Sequence, residues 1–326
     1  MKFRTEVIIP ESAFKIDHRQ KIAMIGSCFT SNIGERLEDD KFDVSINPYG
    51  ILFNPMSVAK AVEACVNQCF ISEEYLIDTG EQWVSLDHHS QFNSADKKEV
   101  MDEINNSILK AKNYYNNADV LIVTLGTAWV YRYNKTEEYV ANCHKIANKE
   151  FTKELLKVSE IVETYESVLL NLRASNRKLK VIFTVSPVRH WKDGVVENNQ
   201  SKAVLQLAIK ELVSQFDYVS YFPSYEIVMD ELRDYRFYKE DMLHPNDVAV
   251  DYIYQKFKAT YYSSETLLLN QKIKKIKLAV NHRPFNFKAE SHLLFIGKTK
   301  ALIQQVSNEN AYLNFTKELI SLEEFK

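Results

Sequence analysis

Residues 118–126 read ADVLIVTLG, the strongest strand signal in the chain. Similar apolar runs stand at residues 21–26 (KIAMIG) and 179–185 (LKVIFTV), with shorter ones at 43–46 and 218–222. These runs do not alternate with polar residues, and helical patterns separate them. Both features are typical of parallel strands that are buried on both faces. The sequence therefore predicts a doubly wound α/β fold with a mostly parallel sheet.

Three parts of the chain depart from this alternation. Residues 76–94 and 130–146 are rich in aromatic and polar side chains and predict excursions from the sheet, in the form of small hairpins. Beyond about residue 260 only helical patterns follow. We therefore expect an α/β domain over residues 1–262 and a C-terminal helical appendage over residues 263–326.

Composition narrows the class of protein. The chain has 326 residues, of which 45% are hydrophobic, and a net charge of −3, so it has material for a large core and lacks the basic excess of a nucleic-acid binder. Four cysteines are too few for a disulfide scaffold. No apolar stretch has the pattern of a signal peptide or the length of a membrane span. These observations predict a cytoplasmic protein and leave its oligomeric state open.

Parallel sheets bind ligands at the carboxyl ends of their strands, so residues just after the predicted strands are the first candidates for a site. Nine such residues have chemistry to offer: Ser27, Cys28, Asn47, Gly50, Thr127, Trp129, Ser186, Arg189 and His190.

Cys28 follows the strand at residues 21–26 and begins a predicted helix. A thiol at a helix N-terminus faces free backbone N–H groups, which favour the thiolate, so we expect a pKa below the ordinary value of about 8.5. This position suits a nucleophile. The alternative is a small buried cysteine that packs under the helix.

Asp241 and His244 lie in the stretch DMLHPN, just before the last amphipathic helix of the predicted α/β part. An Asp three residues before a His can bond its Nδ1 and leave Nε2 free as a base. The alternative is a capped loop with a surface histidine.

Several motifs together carry a family resemblance. IGSCFT resembles the opening GDSL-type block of SGNH hydrolases, and DMLHP resembles their closing D-x-x-H-P block. More closely, the ordered set GSCF, NPYGILFNP, TLGTAWVY, NCHK, SPVRH and EDMLHPN resembles the GSCFA family, over residues 26–246.

The resemblance implies a three-layer α/β/α fold and an esterase or acyl hydrolase acting on a small-molecule or glycan acyl ester, without a metal or organic cofactor. In this register Cys28 would be the nucleophile, His244 the base and Asp241 its orienting partner. Ser27 would be the nucleophile if the register were shifted by one. The backbone N–H groups of Gly50 and Cys28 would bind the oxyanion.

One departure from the superfamily pattern affects the mechanism. The third block carries an oxyanion-binding Asn in the superfamily, whereas Ala128 stands there in this chain. Thr127, Asn47 or Asn54 could substitute, and Ala128→Asn should improve a Cys28→Ser variant if the new side chain reaches the pocket. An acyltransferase with the same triad and a catalytically idle ligand-binding scaffold remain alternatives.

Two further groups could take part. Arg189 and His190 follow a strong strand and could bind a carboxylate, a phosphate or a sugar hydroxyl, or form an ordinary surface loop. His88, His89, Cys143 and His144 lie in the two excursions, but their spacing fits no known metal motif. These four residues are better interpreted as shaping the mouth of a pocket, and no metal site is expected.

Overall fold

A parallel sheet forms the centre of the computed structural model, which describes residues 4–286 and 289–324. Its strands lie in the order β10-β9-β5-β1-β2, and all neighbours are parallel. The strands of the molecule are β1 (Lys21–Gly26), β2 (Asp43–Ile46), β3 (Leu76–Asp78), β4 (Trp83–Ser85), β5 (Val120–Leu125), β6 (Trp129–Tyr133), β7 (Glu138–Val140), β8 (Phe151–Leu155), β9 (Lys180–Val185) and β10 (Val219–Phe222). The predicted parallel sheet is confirmed.

Helices cover both faces of this sheet. The helices of the described residues are α1 (Cys28–Asp39), α2 (Pro55–Asn67), α3 (Lys97–Tyr115), α4 (Val158–Ser175), α5 (Val195–Gln215), α6 (Ser224–Glu226), α7 (Asp247–Tyr261), α8 (Ser264–Val280), α9 (Glu290–Glu309) and α10 (Thr316–Glu324), of which α8 to α10 pack in a separate core. Helix α6 continues directly into a π-helical turn, Ile227–Glu231.

The two faces of the sheet carry separate cores because successive side chains of a strand point in opposite directions. Ile22 and Met24 of β1 pack with α1 and α7, whereas Ala23 and Ile25 pack into the core that contains α2 to α5. The apolar stripe of α1, which includes fully buried Leu37, lies in the first of these cores. Burial of such a side chain stabilises the fold by about 1.5–3 kcal/mol. The two cores hold helices against both faces of the sheet, which gives a three-layer α/β/α unit.

Small antiparallel sheets occupy the two excursions, and the second sheet extends beyond the predicted residues 130–146 to include β8. Strands β3 and β4 pair with each other, and β6 pairs with both β7 and β8. This second sheet begins at Trp129, four residues after β5 ends. It therefore lies beside the carboxyl edge of the central sheet, where the predicted site residues are.

The C-terminal helices have a core of their own, which includes Ile273, Ile303 and Val306. Polar contacts join them to the rest of the molecule, among them the Thr266 hydroxyl donating to the Ile16 carbonyl (3.1 Å). The domain division at residue 262 stays a prediction. No helix in the described ranges is long and apolar enough to cross a membrane. The cytoplasmic location also stays a prediction.

Candidate active site

Three neighbouring strands bring their following loops to one edge of the sheet. Gly26 of β1 is in register with Thr124 of β5, which is in register with Thr184 of β9. The order β2-β1-β5 also means that the chain leaves β1 in one direction and returns on its other side, so the edge between β1 and β5 is a topological switch point. Ligands of open α/β sheets bind at such a point.

The turn after β1 depends on Gly26. Its φ of +139° is rarely adopted by other residues, and a Cβ atom there would lie 2.1 Å from the Thr124 carbonyl oxygen. Ser27 then caps α1, because its Oγ accepts a hydrogen bond from the Phe29 N–H (3.3 Å). This cap fixes the direction in which α1 begins and, with it, the position of Cys28.

Cys28 is the first residue of α1 and is half-buried. Burial raises the pKa of its thiol above the ordinary value, although the N–H groups of Phe29 and Cys28 and the charges of Lys202 and Lys239 act in the opposite direction. The predicted lowering of this pKa is therefore wrong, since the loss of hydration outweighs the helix terminus. At neutral pH the sulfur carries its proton, and a nucleophile there needs a base.

A tight turn presents His244. The bridge between Tyr238 and Pro245 closes this turn, and Met242 at its tip has a φ of +58°. Asp241 Oδ1 accepts the backbone N–H of His244 (2.9 Å), while Asp241 Oδ2 lies 2.5 Å from His244 Nδ1. The His244 N–H, followed by that of Leu243, lowers the pKa of Asp241 to about 2. The carboxylate is thus ionised at neutral pH and directs Nε2 of His244 away from itself.

A cavity of about 710 Å³ brings these groups together. Ten of the residues singled out in the sequence line it: Ser27, Cys28, Asn54, Thr127, Trp129, Cys143, Ser186, Arg189, His190 and His244. Asp241 lies behind His244, and both side chains are accessible, at 45% and 40% exposure. The site is therefore open to a ligand larger than a water molecule.

Gly50 and Asn47 are outside the lining of this cavity. The Gly50 N–H donates to the Asn47 carbonyl (2.8 Å), so it is already used within the turn. Asn47 Oδ1 accepts from the Gly26 N–H (2.9 Å), and its Nδ2 donates to Ser31 Oγ (3.0 Å). Both residues hold the turns at the ends of β1 and β2, and their predicted place among the oxyanion donors does not fit these contacts.

Asn54 does line the cavity, but its amide is fully engaged elsewhere. Its Oδ1 caps α2 by accepting from the Ser57 N–H (2.8 Å), and its Nδ2 donates to Ser57 Oγ and to the Val140 carbonyl. This side chain has no donor left for an oxyanion.

The loop after β5 is equally committed. Its four N–H groups all have protein acceptors, in chain order: Gly126 and Thr127 to the Phe53 carbonyl (2.7 and 3.1 Å), Ala128 to Ser201 Oγ (2.7 Å) and Trp129 to Thr127 Oγ1 (3.1 Å). The Thr127 hydroxyl also bonds Ser201 Oγ (2.9 Å). Ala128 itself is fully buried in the core between the sheet and α2 to α5.

His190 differs from that loop because its ring has no hydrogen-bond partner within the described part of the chain. Its Nε2 would lie 3.2 Å from a Cβ atom at Gly126, and the ring packs edge-on against Phe53. Burial, followed by the charge of Lys202, lowers the pKa of His190 to about 4. It is therefore a neutral imidazole that can donate one hydrogen bond into the cavity.

Lys202 is a residue that the sequence interpretation missed. It is buried on α5, and its Nζ donates to the carbonyls of Gly126 (2.7 Å) and Ser186 (2.6 Å), at the ends of β5 and β9. Burial lowers its pKa to about 7, and the nearby Cys28 acts against this shift. One signal was available: residue 202 falls in register with the apolar stripe of α5 at Leu205, Ile209 and Leu212.

The histidines of the two excursions have structural contacts. His88 bonds Ser85 Oγ through Nδ1 (2.7 Å) and stacks on Tyr49, and His144 Nε2 contacts the carbonyls of Ser85 and His88. Of the four residues His88, His89, Cys143 and His144, only Cys143 lines the cavity. Burial raises the pKa of its thiol to about 11. Within residues 4–286 and 289–324, no cluster of three or more His, Cys, Asp or Glu side chains could hold a metal ion.

Comparison with known families agrees with the motif set. The model described as "GSCFA family" matches residues 21–257, and the model described as "GSCFA domain protein, C-terminal domain" matches residues 273–325. No curated protein matches the chain.

Solved structures resemble the chain at a distance. One is a carbohydrate esterase of family 3 from Talaromyces cellulolyticus, with 12% identity and a TM-score of 0.37, covering 78% of this chain and 99% of the other. Another is an acetyl xylan esterase from Butyrivibrio proteoclasticus, with 12% identity and a TM-score of 0.39, covering 79% and 65%. Likeness at this level says nothing of substrate or activity.

Proposed function

The chain belongs to the GSCFA family, and we propose that it hydrolyses an acyl ester with Cys28 as nucleophile, His244 as base and Asp241 as the residue that orients the base. One observation carries this proposal: Cys28 and an Asp-oriented His244, far apart in sequence, line the same cavity. Ser27 also lines it but caps α1, which favours Cys28 as the attacking group.

The raised pKa of Cys28 determines the first step. Because the thiol is protonated at neutral pH, His244 Nε2 takes its proton as the sulfur attacks the acyl carbon. The C–O bond of the ester then breaks, the leaving alcohol takes the proton from His244, and a thioester remains on Cys28. Water attacks this thioester with His244 again as base, which releases the carboxylic acid and returns the thiol.

The oxyanion needs donors that are not used elsewhere. The N–H of Cys28 begins α1 and has no backbone acceptor in the helix, so it is one donor. We assign the second to His190, whose neutral ring faces the cavity without a hydrogen-bond partner among the described residues. This assignment puts a side chain from the loop after β9 in the role that Ala128 cannot perform.

Turnover of 4-nitrophenyl acetate and of acetylated methyl glycosides tests the proposal. Cys28→Ala and His244→Ala should each lower kcat by about 10³-fold or more, and the double variant should be little worse, because the members of a triad act as a unit. Asp241→Asn should be milder, since the base remains. Intact-protein mass spectrometry should find one acetyl group on the wild type and none on Cys28→Ala.

Cys143→Ala is the matched control, since it removes the other thiol of the same cavity and should keep full activity. Loss of the acyl-enzyme in Ser27→Ala with its retention in Cys28→Ala would move the nucleophile to Ser27. Product analysis with an added alcohol acceptor separates hydrolysis from acyl transfer.

A binding protein without catalysis is the second candidate, and one observation favours it: the loop after β5 has no free N–H group. Absence of turnover and of acyl-enzyme in the wild type, on every acyl ester tried, would select this candidate.

A further inference from the structure

A second cavity, of about 920 Å³, adjoins the first. Both are lined by Arg189, Trp191 and Leu243, so these residues form the partition between them. Asp241 borders the second cavity and His244 the first. A ligand whose ester group lies at Cys28 can thus extend past Arg189 into the second cavity.

The charged side chains that line the two cavities include Arg189, whose positive charge is not paired with a carboxylate of the described residues. Each carboxylate in their lining already has a basic partner: Asp193 with Lys153 (2.5 Å), Asp234 with Arg236 (3.6 Å) and Asp241 with His244 (2.5 Å). Arg189 forms no ion pair within residues 4–286 and 289–324. A cation at the junction of two cavities without a counter-charge is suited to a negatively charged ligand.

The hydrogen bonds of Arg189 also favour a negatively charged ligand. Its Nη2 donates to Asn199 Oδ1 (2.9 Å), which fixes the plane of the guanidinium. Its Nε is buried and has no partner in the described part of the protein. The guanidinium has five N–H donors, and those that line the two cavities can bind a carboxylate or phosphate oxygen in charge-assisted form.

The walls of the second cavity carry exposed aromatic and apolar side chains, which suit a sugar ring. Trp191 and Tyr235 line it with 52% and 74% of their surfaces exposed, and Met242 is 52% exposed. Exposed aromatic faces next to a polar group pack well against the apolar face of a sugar ring. The second cavity therefore fits the non-reacting body of an acylated sugar.

We propose that the substrate is an acylated sugar that carries a carboxylate or phosphate, and that Arg189 binds this group while the sugar occupies the second cavity. The acyl part of this inference rests on the proposed function. The anion-binding part stands on Arg189 and the two cavities and is tested separately.

The kinetic test compares three acetyl esters: those of methyl glucoside, methyl glucuronoside and methyl glucoside 6-phosphate. In the wild type, kcat/KM for at least one anionic ester should exceed that for the neutral ester by about tenfold or more, the size of one charge-assisted hydrogen bond. Arg189→Met should reduce this ratio to about one, and Arg189→Lys should keep part of it. Which anionic ester is preferred distinguishes carboxylate from phosphate.

Lys192→Met is the control for the general field of the site. It removes an exposed cation from the same cavity and should leave the anionic-to-neutral ratio close to that of the wild type. An equal fall of the ratio in Lys192→Met and Arg189→Met would mean that the local potential, and not a site at Arg189, selects the anion.

The binding test does not depend on catalysis. Calorimetry of the Cys28→Ala variant with the three unacetylated methyl glycosides should show at least about tenfold tighter binding of an anionic one, lost on adding Arg189→Met. Turnover of 4-nitrophenyl acetate without any anion preference in rate or binding overturns the inference and leaves the proposed function standing. Anion-selective binding without turnover of any ester does the reverse.

Discussion

The loops after β1 and after β5 leave neighbouring strands at the same edge of the sheet, yet they differ in what they offer a ligand. The first begins α1 directly, so the Cys28 N–H has no acceptor within the helix, and the N–H groups of Cys28 and Phe29 lie close enough to the Cys28 sulfur to act on its pKa. The second bonds its N–H groups to Phe53, Ser201 and its own Thr127. A backbone N–H at the switch point can thus serve as an oxyanion donor only if no protein acceptor already uses it.

The difference has a chemical consequence. In the SGNH pattern that the sequence resembles, the third block supplies a side-chain donor, whereas in this chain the loop after β5 is held against α5 through Ser201 and Lys202. The free groups at the cavity lie instead on the loop after β9, at Arg189 and His190. The proposed site combines the start of α1, the turn at His244 and this later loop.

Among the variants that test this comparison of the two loops, those that remove His190 should have the largest effect. His190→Leu should lower kcat by about 100-fold with little change in KM, because an oxyanion donor acts mainly in the transition state. His190→Gln should recover part of the rate, since its amide can donate. Steady-state kinetics on an acetyl ester gives both constants.

Thr127→Val, on the loop after β5, is the comparison variant and should change kcat far less. Because the pKa of His190 is about 4, its ring stays neutral between pH 5 and 8. The pH–rate profile of His190→Gln over this range should therefore have the same shape as that of the wild type. A larger loss in Thr127→Val than in His190→Leu would return the oxyanion site to the loop after β5.

A smaller effect is expected from Lys202, which bonds the ends of β5 and β9 and whose charge acts on the pKa of Cys28. Lys202→Met removes a positive charge that favours the thiolate, so the rate of Cys28 alkylation by iodoacetamide at pH 7 should fall by up to about tenfold, or one pKa unit. Peptide mass spectrometry separates Cys28 from the exposed Cys69.

The direction in which the alkylation rate changes with pH follows from the pKa shifts of Cys28 and Lys202. Burial raises the Cys28 pKa, so alkylation in both proteins should keep rising with pH beyond the ordinary thiol range. Lys202 gives up its proton near its pKa of about 7, so the gap between wild type and variant should narrow above that pH. Lys239→Met, which removes a weaker cationic influence on Cys28, should have a smaller effect; an equal or larger one would contradict the role of Lys202. Circular dichroism checks that each variant is folded.

The sequence was informative where a single pattern determines the outcome. The apolar run at residues 118–126 could only be a buried strand or a buried helix, and its β-branched residues favoured the strand that forms β5. The presence of Cys28 and His244 in the lining of one cavity followed from topology, because Cys28 follows β1 and His244 precedes α7. Both predictions depend on periodicity and chain order, which a sequence displays directly.

The sequence was uninformative where several distant elements decide together. The pKa of Cys28 depends on how much water the surrounding loops exclude, and burial there reversed the expected sign. The sequence does not distinguish Lys202 from an ordinary helix cation, because its acceptors, the carbonyls of Gly126 and Ser186, come from two other elements. A sequence does not show that the N–H groups of Gly50 and Thr127 already have protein acceptors.

Ala128→Asn should have the smallest effect on activity, which sharpens the contrast between the two loops. Ala128 is fully buried, its N–H already bonds Ser201 Oγ, and it is outside the cavity lining. An amide at this position would enter the core between the sheet and α5, so in a Cys28→Ser background it should give no gain in turnover. The unpaired amide should instead lower the free energy of unfolding by about 1–3 kcal/mol, measured by urea denaturation. Thr127→Asn places the same amide at a position that does line the cavity, and any gain in rate should appear there first. A tenfold gain in Ala128→Asn without loss of stability would show that the loop after β5 can open toward the substrate, and the contrast drawn between the loops would then be wrong.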